Sequence, residues 1–312
     1  MDKQELFNFS FCSKLAQKIL KLCCFARFEM CVHLGCEPNI TLHYGKEFVN
    51  GVNCRLKNAF SCHDEHKQVP VREQKNLSFP LDNSDPDSDP VSRTLKFIDH
   101  FLTTFRCTID ELILKPNCIQ TRFQDLIKSI ISRQKIFPNL SVHKHIDLED
   151  LKFLNENLQV TDWISFNVSV TLPENFKFSW NTDDWEITHG ESFSIENFLN
   201  LNFMTCEIFD ANFTCDDWRT IVLAWMAGWN PNMKHLMAEG NYDYIMILRK
   251  LGPYIGKLKP ESLVRMMFYK NNMDSYGAYF NGGYDFQRES DGKLATLFVH
   301  EGVDRVQIHV WD

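Results

Sequence analysis

The chain lacks any apolar run long enough to cross a bilayer. Its most apolar stretch, Ile221 to Trp229, falls far short of the ~20 residues that a spanning helix needs. It also opens without a signal segment, because MDKQELFNFSFCSKLAQKILKLCC sets charges among the apolar positions and offers no small-residue cleavage site. The expectation is an intracellular protein, in cytoplasm and/or nucleus, with no membrane partner. On that basis the six Asn-x-Ser/Thr sequons at Asn8, Asn39, Asn76, Asn139, Asn167 and Asn212 are read as chance. Dense basic patches are missing too: Lys plus Arg total 33 against 41 Asp plus Glu, a net of −8. Phosphate neutralisation has nothing to work with, so nucleic acid is not an expected partner.

Motifs of chemistry are equally scarce. No nucleophile elbow, phosphate loop, dinucleotide fingerprint, zinc-protease helix or kinase signature has its spacing here, so the expectation is that the chain is not an enzyme and carries no cofactor. Histidines such as His100, His143, His145 and His189 have no readable arrangement with a nucleophile and an orienting carboxylate. The 11 cysteines, an odd number without repeated CxxC pairs, fit a reducing compartment where thiols act as small apolar residues. One local cluster has zinc-like donors: Cys54, Cys62, His63 and His66, with Cys31 and Cys36 nearby. Its spacing matches no regular finger, so zinc binding across 31–66 is the less favoured alternative and no metal is assigned. The aspartates of Asn83-Ser84-Asp85-Pro86-Asp87-Ser88-Asp89-Pro90 resemble the start of a calcium loop. Pro90 stands where the loop glycine belongs and Lys96 where the bidentate glutamate belongs, which rules calcium out. Gly282-Gly283 is read as a strand-entry turn rather than a phosphate cradle, since no helix and no suitably placed lysine follow.

What is present is a globular balance: 44% hydrophobic and 24% charged residues, too apolar for wholesale disorder. Leu6, Phe9, Cys12, Leu15, Ile19 and Leu22 recur at the spacing of a one-sided helix over Glu5 to Leu22. Short alternating pieces such as Ile40 to Tyr44 follow, punctuated by Gly35, Gly45 and Gly51, and read as strands. A polar stretch from Cys62 to Ser92 reads as a linker. Ser92 then caps a helix with Leu95, Ile98, Phe101, Leu102 and Phe105 on one face. Ile109 to Leu114 reads as a strand. Thr121 with Gln124 forms a capping box before Phe123, Leu126, Ile127, Ile130 and Ile131, with Pro138 closing the segment.

Further strands are expected around Val142, Ile164, Ile187, Ile208 and Leu236, with centres recurring every 21 to 30 residues and helical spacers between several of them. That period points to a degenerate leucine-rich-repeat-like solenoid, in which each strand–helix unit buries its apolar face on the next. The clearest helix is capped by Thr214, carries Trp218, Ile221, Val222, Trp225 and Trp229 on one face, and is stopped by Asn230-Pro231. At the end, Tyr284 to Glu289, Lys293 to Val299 and Arg305 to Trp311 alternate, with Asp291-Gly292 at the first turn. They predict an antiparallel three-stranded meander with Tyr284, Phe286, Leu294, Phe298, Ile308 and Val310 among its apolar residues. The expected fold class is α/β: a strand–helix solenoid over 93–312 ending in that meander, after a polar linker at 62–92, a short strand region at 25–61 and an N-terminal helix at 1–24.

Leu6-Phe7-Asn8-Phe9-Ser10-Phe11-Cys12-Ser13-Lys14 resembles the second half of an F-box. Trp185 to Glu239 resembles the F-box-associated (type 2) domain of the kind expanded in nematodes, through Thr214-Cys215-Asp216-Asp217-Trp218, Trp225, Gly228 and Asn232-Met233-Lys234-His235-Leu236. The likeness continues in Gly283-Tyr284-Asp285-Phe286-Gln287-Arg288, in Asp291-Gly292-Lys293-Leu294-Ala295-Thr296 and in Val310-Trp311, and covers about half the chain. The resemblance implies a non-enzymatic, substrate-recognition subunit of a cullin-RING (SCF-type) ubiquitin ligase. Leu6, Phe9, Phe11 and Leu15 would meet a Skp-type adaptor, and the associated domain would hold a protein target whose identity the residues do not encode. The leading Leu-Pro helix of an F-box has no counterpart in Met1-Asp2-Lys3-Gln4, and Leu15 and Ala16 stand where arginine or tryptophan is frequent, so the segment reads as a truncated F-box. The alternative is a stand-alone target-binding protein without adaptor contact.

Overall fold

Alternation with period two and periodicity near 3.6 take turns along the chain, and the computed structural model converts them into a mixed α/β fold. It describes residues 13–15, 17, 28–34, 39–44, 52–55, 76–77, 90–116, 123–143, 145–257, 264–270, 275–281, 283–300 and 304–311. The chain divides into two compact units, Met1–Ile164 and Ser165–Asp312.

In the first unit the strands are β1 (Phe28–Leu34), β2 (Asn39–Tyr44), β3 (Val52–Arg55), β4 (Asn76–Leu77), β5 (Thr108–Leu114) and β6 (Ile136–His143). They lie in the order β6-β5-β1-β2-β3-β4. β1 is parallel to β5 and β5 to β6, whereas β2 runs antiparallel to β1 and to β3. Helices α1 (Pro90–Thr104), α2 (Phe123–Ile131) and α3 (Leu148–Asn157) supply the apolar cover. Ile98, Phe101, Phe123, Ile127, Ile130, Leu151 and Leu154 are buried with Ile109, Leu112, Leu140 and Val142 of the strands. The α3 N-terminus is capped by Asp147, whose side chain accepts from the Asp150 N–H. β7 (Gln159–Asn167) follows.

Two local expectations change here, and a third falls outside the described residues. α1 starts at Pro90 rather than at a Ser92 cap, because a proline's missing N–H is harmless in the first helical turn. Thr121 lies outside the described residues, and with it the expected capping box; the Gln124 side-chain amide donates to the Asp150 carboxylate at 2.9 Å. Pro138 lies inside β6 instead of closing a helix. The β5 register begins at Asn139, past the proline, so no bond on that side needs its missing N–H.

In the second unit, β8 (Asp184–Ile187), α4 (Ile195–Leu199), β9 (Thr205–Ile208), α5 (Cys215–Met226) and β10 (His235–Glu239) alternate in sequence. β8 is parallel to β9 and β9 to β10. α6 (Tyr244–Leu251) and β11 (Gly256–Lys257) come next, followed by the antiparallel pair β12 (Val264–Lys270) and β13 (Ser275–Asn281), which has no counterpart among the expected strands. β14 (Tyr284–Gln287), β15 (Leu294–His300) and β16 (Arg305–Val310) form the expected antiparallel meander, and β16 joins β10 antiparallel. The strand centres expected at Val142, Ile164, Ile187, Ile208 and Leu236 all fall in strands.

α5 shows how local residues write a helix. Thr214 accepts from the Asp217 N–H while the Asp217 carboxylate accepts from the Thr214 N–H, a reciprocal cap. At the other end Gly228, at φ 105, and Trp229 donate back to the carbonyls of Trp225 and Ala224, closing the helix with the left-handed turn that glycine tolerates. Trp218, Ile221, Val222 and Trp225 are buried, as the face predicted, and the Trp229 indole donates to the Leu199 carbonyl at 2.7 Å.

Arg288 locks the meander onto this helix. Its guanidinium is 2% exposed, lies 5.1 Å from the Trp225 ring centroid, donates to the Pro231 carbonyl at 3.0 Å and grips Asp291 with two nitrogens. Gly283 makes the strand entry at φ 115, where a Cβ would come 2.5 Å from Thr296 Cγ2, so the turn reading of that glycine agrees with its backbone. The expected apolar set of the meander, by contrast, divides between two faces. Phe286, Ile308 and Val310 share one face with Ala295 and Leu297, while Phe298 lies in register with Gln307 on the other.

Candidate interaction surface

Period-two alternation gives the strands of the second unit two different faces. Trp185, Ile187, Cys206, Ile208, Leu236, Ala238, Val306 and Ile308 form a buried apolar face. The residues between them form a polar one, and strand register arranges these in rows. One row runs Glu186, Glu207, Met237, Gln307, Phe298; the next runs Asp184, Thr205, His235, His309, Thr296, Asp285; a third pairs Glu239 with Arg305.

Along each row the character changes. On β8 and β9, Asp184, Glu186, Thr205 and Glu207 are half-exposed. Burial pushes the Glu186 carboxyl up. Burial, then the charges of Glu186 and Asp184, push Glu207 up, with Arg305 opposing. These two carboxylates therefore sit side by side, incompletely hydrated, while Arg305 is engaged with Glu239 at 2.9 Å. On β10 and β16 the polar face is buried: His235, Met237, Gln307 and His309 are all at most 7% exposed. The His235 and His309 rings stack at 4.4 Å and 9°, with Phe298 edge-on to His309 at 5.4 Å. The Trp311 indole donates to Thr296 Oγ1 at 2.7 Å, and the Thr296 hydroxyl passes the bond on to Asp285. Burial, reinforced by the Arg305 charge, holds His235 down to about 3, so the imidazole is neutral. The arrangement offers a partner carboxylates short of counter-charge beside a rigid aromatic and imidazole border, the kind of surface that selects a protein segment by charge and shape.

Of the residues expected to meet an adaptor, Leu6, Phe9 and Phe11 lie outside the described residues. Leu15 is described, with Lys14 and Gln17 in helical conformation, and is 66% exposed. Of the zinc alternative, Cys36, Cys62, His63 and His66 lie outside the described residues, and for Cys54 only the backbone is described. Cys31 is buried; its thiol donates to Glu111 Oε2 at 3.1 Å and lies 3.3 Å from His33 Nε2. Burial first, and the Glu111 carboxylate second, push this thiol far up, keeping it protonated. Glu111 and Ser141, which accompany it, gave no sequence signal because only the pairing of β1, β5 and β6 brings them there. No described helix is long and apolar enough to cross a membrane.

With this geometry in hand, the class is a mixed α/β protein whose strand–helix units present one polar sheet face. Residues 173–238, which hold β8, α4, β9, α5 and most of β10, match the model of a family described as F-box associated. The match covers less than half of the chain. No curated protein and no solved structure matches it.

Proposed function

We propose that this chain is a non-enzymatic protein-interaction module acting as a substrate-recognition subunit of an SCF-type ubiquitin ligase, in cytoplasm and/or nucleus. The observation that carries the reading is the F-box-associated match over 173–238, because it falls on the three parallel strands whose polar face is open at β8 and β9. On this reading the strand–helix units from Val142 to Leu236 are turns of a degenerate leucine-rich-repeat-like solenoid, and the rows centred on Glu186 and Glu207 hold the target. The half-dehydrated carboxylates favour a target segment carrying lysine or arginine, whose charge would return both groups to their ordinary range.

At the other end, Leu6, Phe9, Phe11 and Leu15 make the adaptor contact, and the exposure of Leu15 leaves that side chain available for one. The test is a pull-down of the full chain with purified Skp-type adaptor beside a Phe9→Asp, Leu15→Asp double variant, since a charge buried in a helix-face contact abolishes it. Binding by the parent chain and loss in the variant is the expected result. No binding by the parent chain overturns the ligase role and leaves a stand-alone target binder.

A further inference from the structure

His189 stands two residues before Glu191 in the sequence, and the fold adds Asp210 to the pair. His189 follows β8, Asp210 follows β9, and the β8–β9 register carries Ile187 beside Ile208, so the two strand exits run together. His189 Nδ1 lies 3.3 Å from Glu191 Oε1, and one ligand atom from each of His189, Glu191 and Asp210 lies within 4.8 Å of the others. Zinc bonds of about 2.0–2.1 Å to imidazole nitrogen and about 2.0–2.2 Å to carboxylate oxygen put two ligands of a tetrahedral ion ~3.3 Å apart. The observed nitrogen–oxygen separation already has that value.

The backbone holds the donors in place. The Gly190 N–H donates to the Phe209 carbonyl at 2.8 Å, the Phe209 N–H to Ile187 and the Ala211 N–H to Glu239 at the same distance. Gly190 is buried so tightly that a Cβ would come 2.5 Å from Ile208 Cγ2 and 2.8 Å from the Phe209 carbonyl oxygen. No side chain can separate the loops there. Asp210 itself is fixed at φ 55, a left-handed conformation that aspartate accepts more readily than most residues. One imidazole nitrogen and two carboxylates gather there, a donor set whose negative charge a divalent cation would offset.

We propose that His189, Glu191 and Asp210 form a binding site for a divalent transition-metal ion of the zinc class, which fastens the exits of β8 and β9 to each other. Borderline nitrogen and carboxylate donors suit such an ion, whereas calcium takes oxygen ligands and gains little from an imidazole nitrogen. Solvent completes the coordination sphere, since the His189 and Glu191 side chains are 37% and 48% exposed. The proposal does not rest on the ligase reading.

The experiment is a calorimetric titration of the reduced full chain with ZnCl2, repeated for His189→Ala, Asp210→Ala and Cys31→Ser and followed by CaCl2 on the parent chain. The ligand side chains reach solvent beyond the strand ends, so circular dichroism should report unchanged folding for the first two variants. One equivalent of zinc that weakens at least about tenfold in His189→Ala and in Asp210→Ala, persists in Cys31→Ser and has no calcium counterpart is the expected result. Zinc binding that is absent from the parent chain, unchanged in both loop variants or lost only in Cys31→Ser overturns the proposal.

Discussion

The two faces of the second unit's sheet share strands, register and backbone, and differ only in which alternate residues they carry. The apolar face takes Trp185, Ile187, Cys206, Ile208, Leu236 and Ile308 wholly out of water. Its content is volume, and any aliphatic or aromatic group of the right size serves there. The polar face carries Glu186, Glu207, His235, Glu239, Arg305 and His309, of which the two histidines are buried and the other four half-exposed. Keeping two half-hydrated carboxylates and a buried, neutral His235 on one face costs hydration there. The apolar face accounts for the fold, and the polar face is the one to which we assign the proposed target site.

The contrast breaks hardest on the apolar side. Trp225 is fully buried, edge-on to Phe286 at 5.3 Å and beneath the Arg288 guanidinium. Trp225→Ala should cost about 3–5 kcal/mol, measured by urea denaturation. Next comes acid. Because burial and Arg305 depress His235 to about 3, the unfolded chain takes up a proton near its ordinary pKa of 6.5 and the folded chain does not. Stability should therefore be full above about pH 6.5 and fall as pH drops toward 3. A His235→Gln variant should flatten that slope; an identical pH–stability curve in variant and parent would contradict the burial account.

Smaller is the Arg288 latch. Arg288→Met removes the donor from the Pro231 carbonyl and leaves Asp291 with only the Lys293 N–H, and should cost about 1–3 kcal/mol, read as a lowered Tm. The hydrogen bond from Arg288 also lowers Asp291 to about 2, so its share of stability is present above the ordinary value of 3.8 and disappears as pH falls through 2. In Arg288→Met that acid-dependent share should shrink, with the Lys293 N–H holding what is left. The smallest effect on stability belongs to the face read as functional. Glu207→Gln removes a carboxylate that burial and Glu186 already disfavour, and should change unfolding free energy by less than about 0.5 kcal/mol in either direction.

Much of the apolar half is legible in the residues alone. Thr214 caps α5, and the apolar centres at Ile187, Ile208 and Leu236 mark strands, because each signal lies within a few residues of the element it specifies, whereas α5 closes at Gly228 ahead of the expected Asn230-Pro231 stop. The polar half is not legible in this way. Glu186 meets Glu207, and His235 meets His309, only through strand register, which connects residues far apart in the chain. His189 and Asp210 are invisible as a pair for the same reason. Pro138 misleads because a proline after a helix is a common stop, whereas here the helix ends at Ile131 and the proline enters a strand ahead of its β5 pairing. Phe298, expected among the meander's apolar residues, borders the histidine stack, since alternation alone does not say which face looks inward.

We propose that the polar face of β8 and β9 holds a protein target while the apolar face builds the sheet. The most direct measurement compares the proteins recovered in cells with the full chain and with a Glu186→Lys, Glu207→Lys variant of matched Tm, counting only partners whose purified forms then bind the parent chain. The account predicts that those partners are lost from the variant while binding to the Skp-type adaptor is unchanged. Retention of every such partner by the charge-reversed chain, at undiminished affinity, would contradict it.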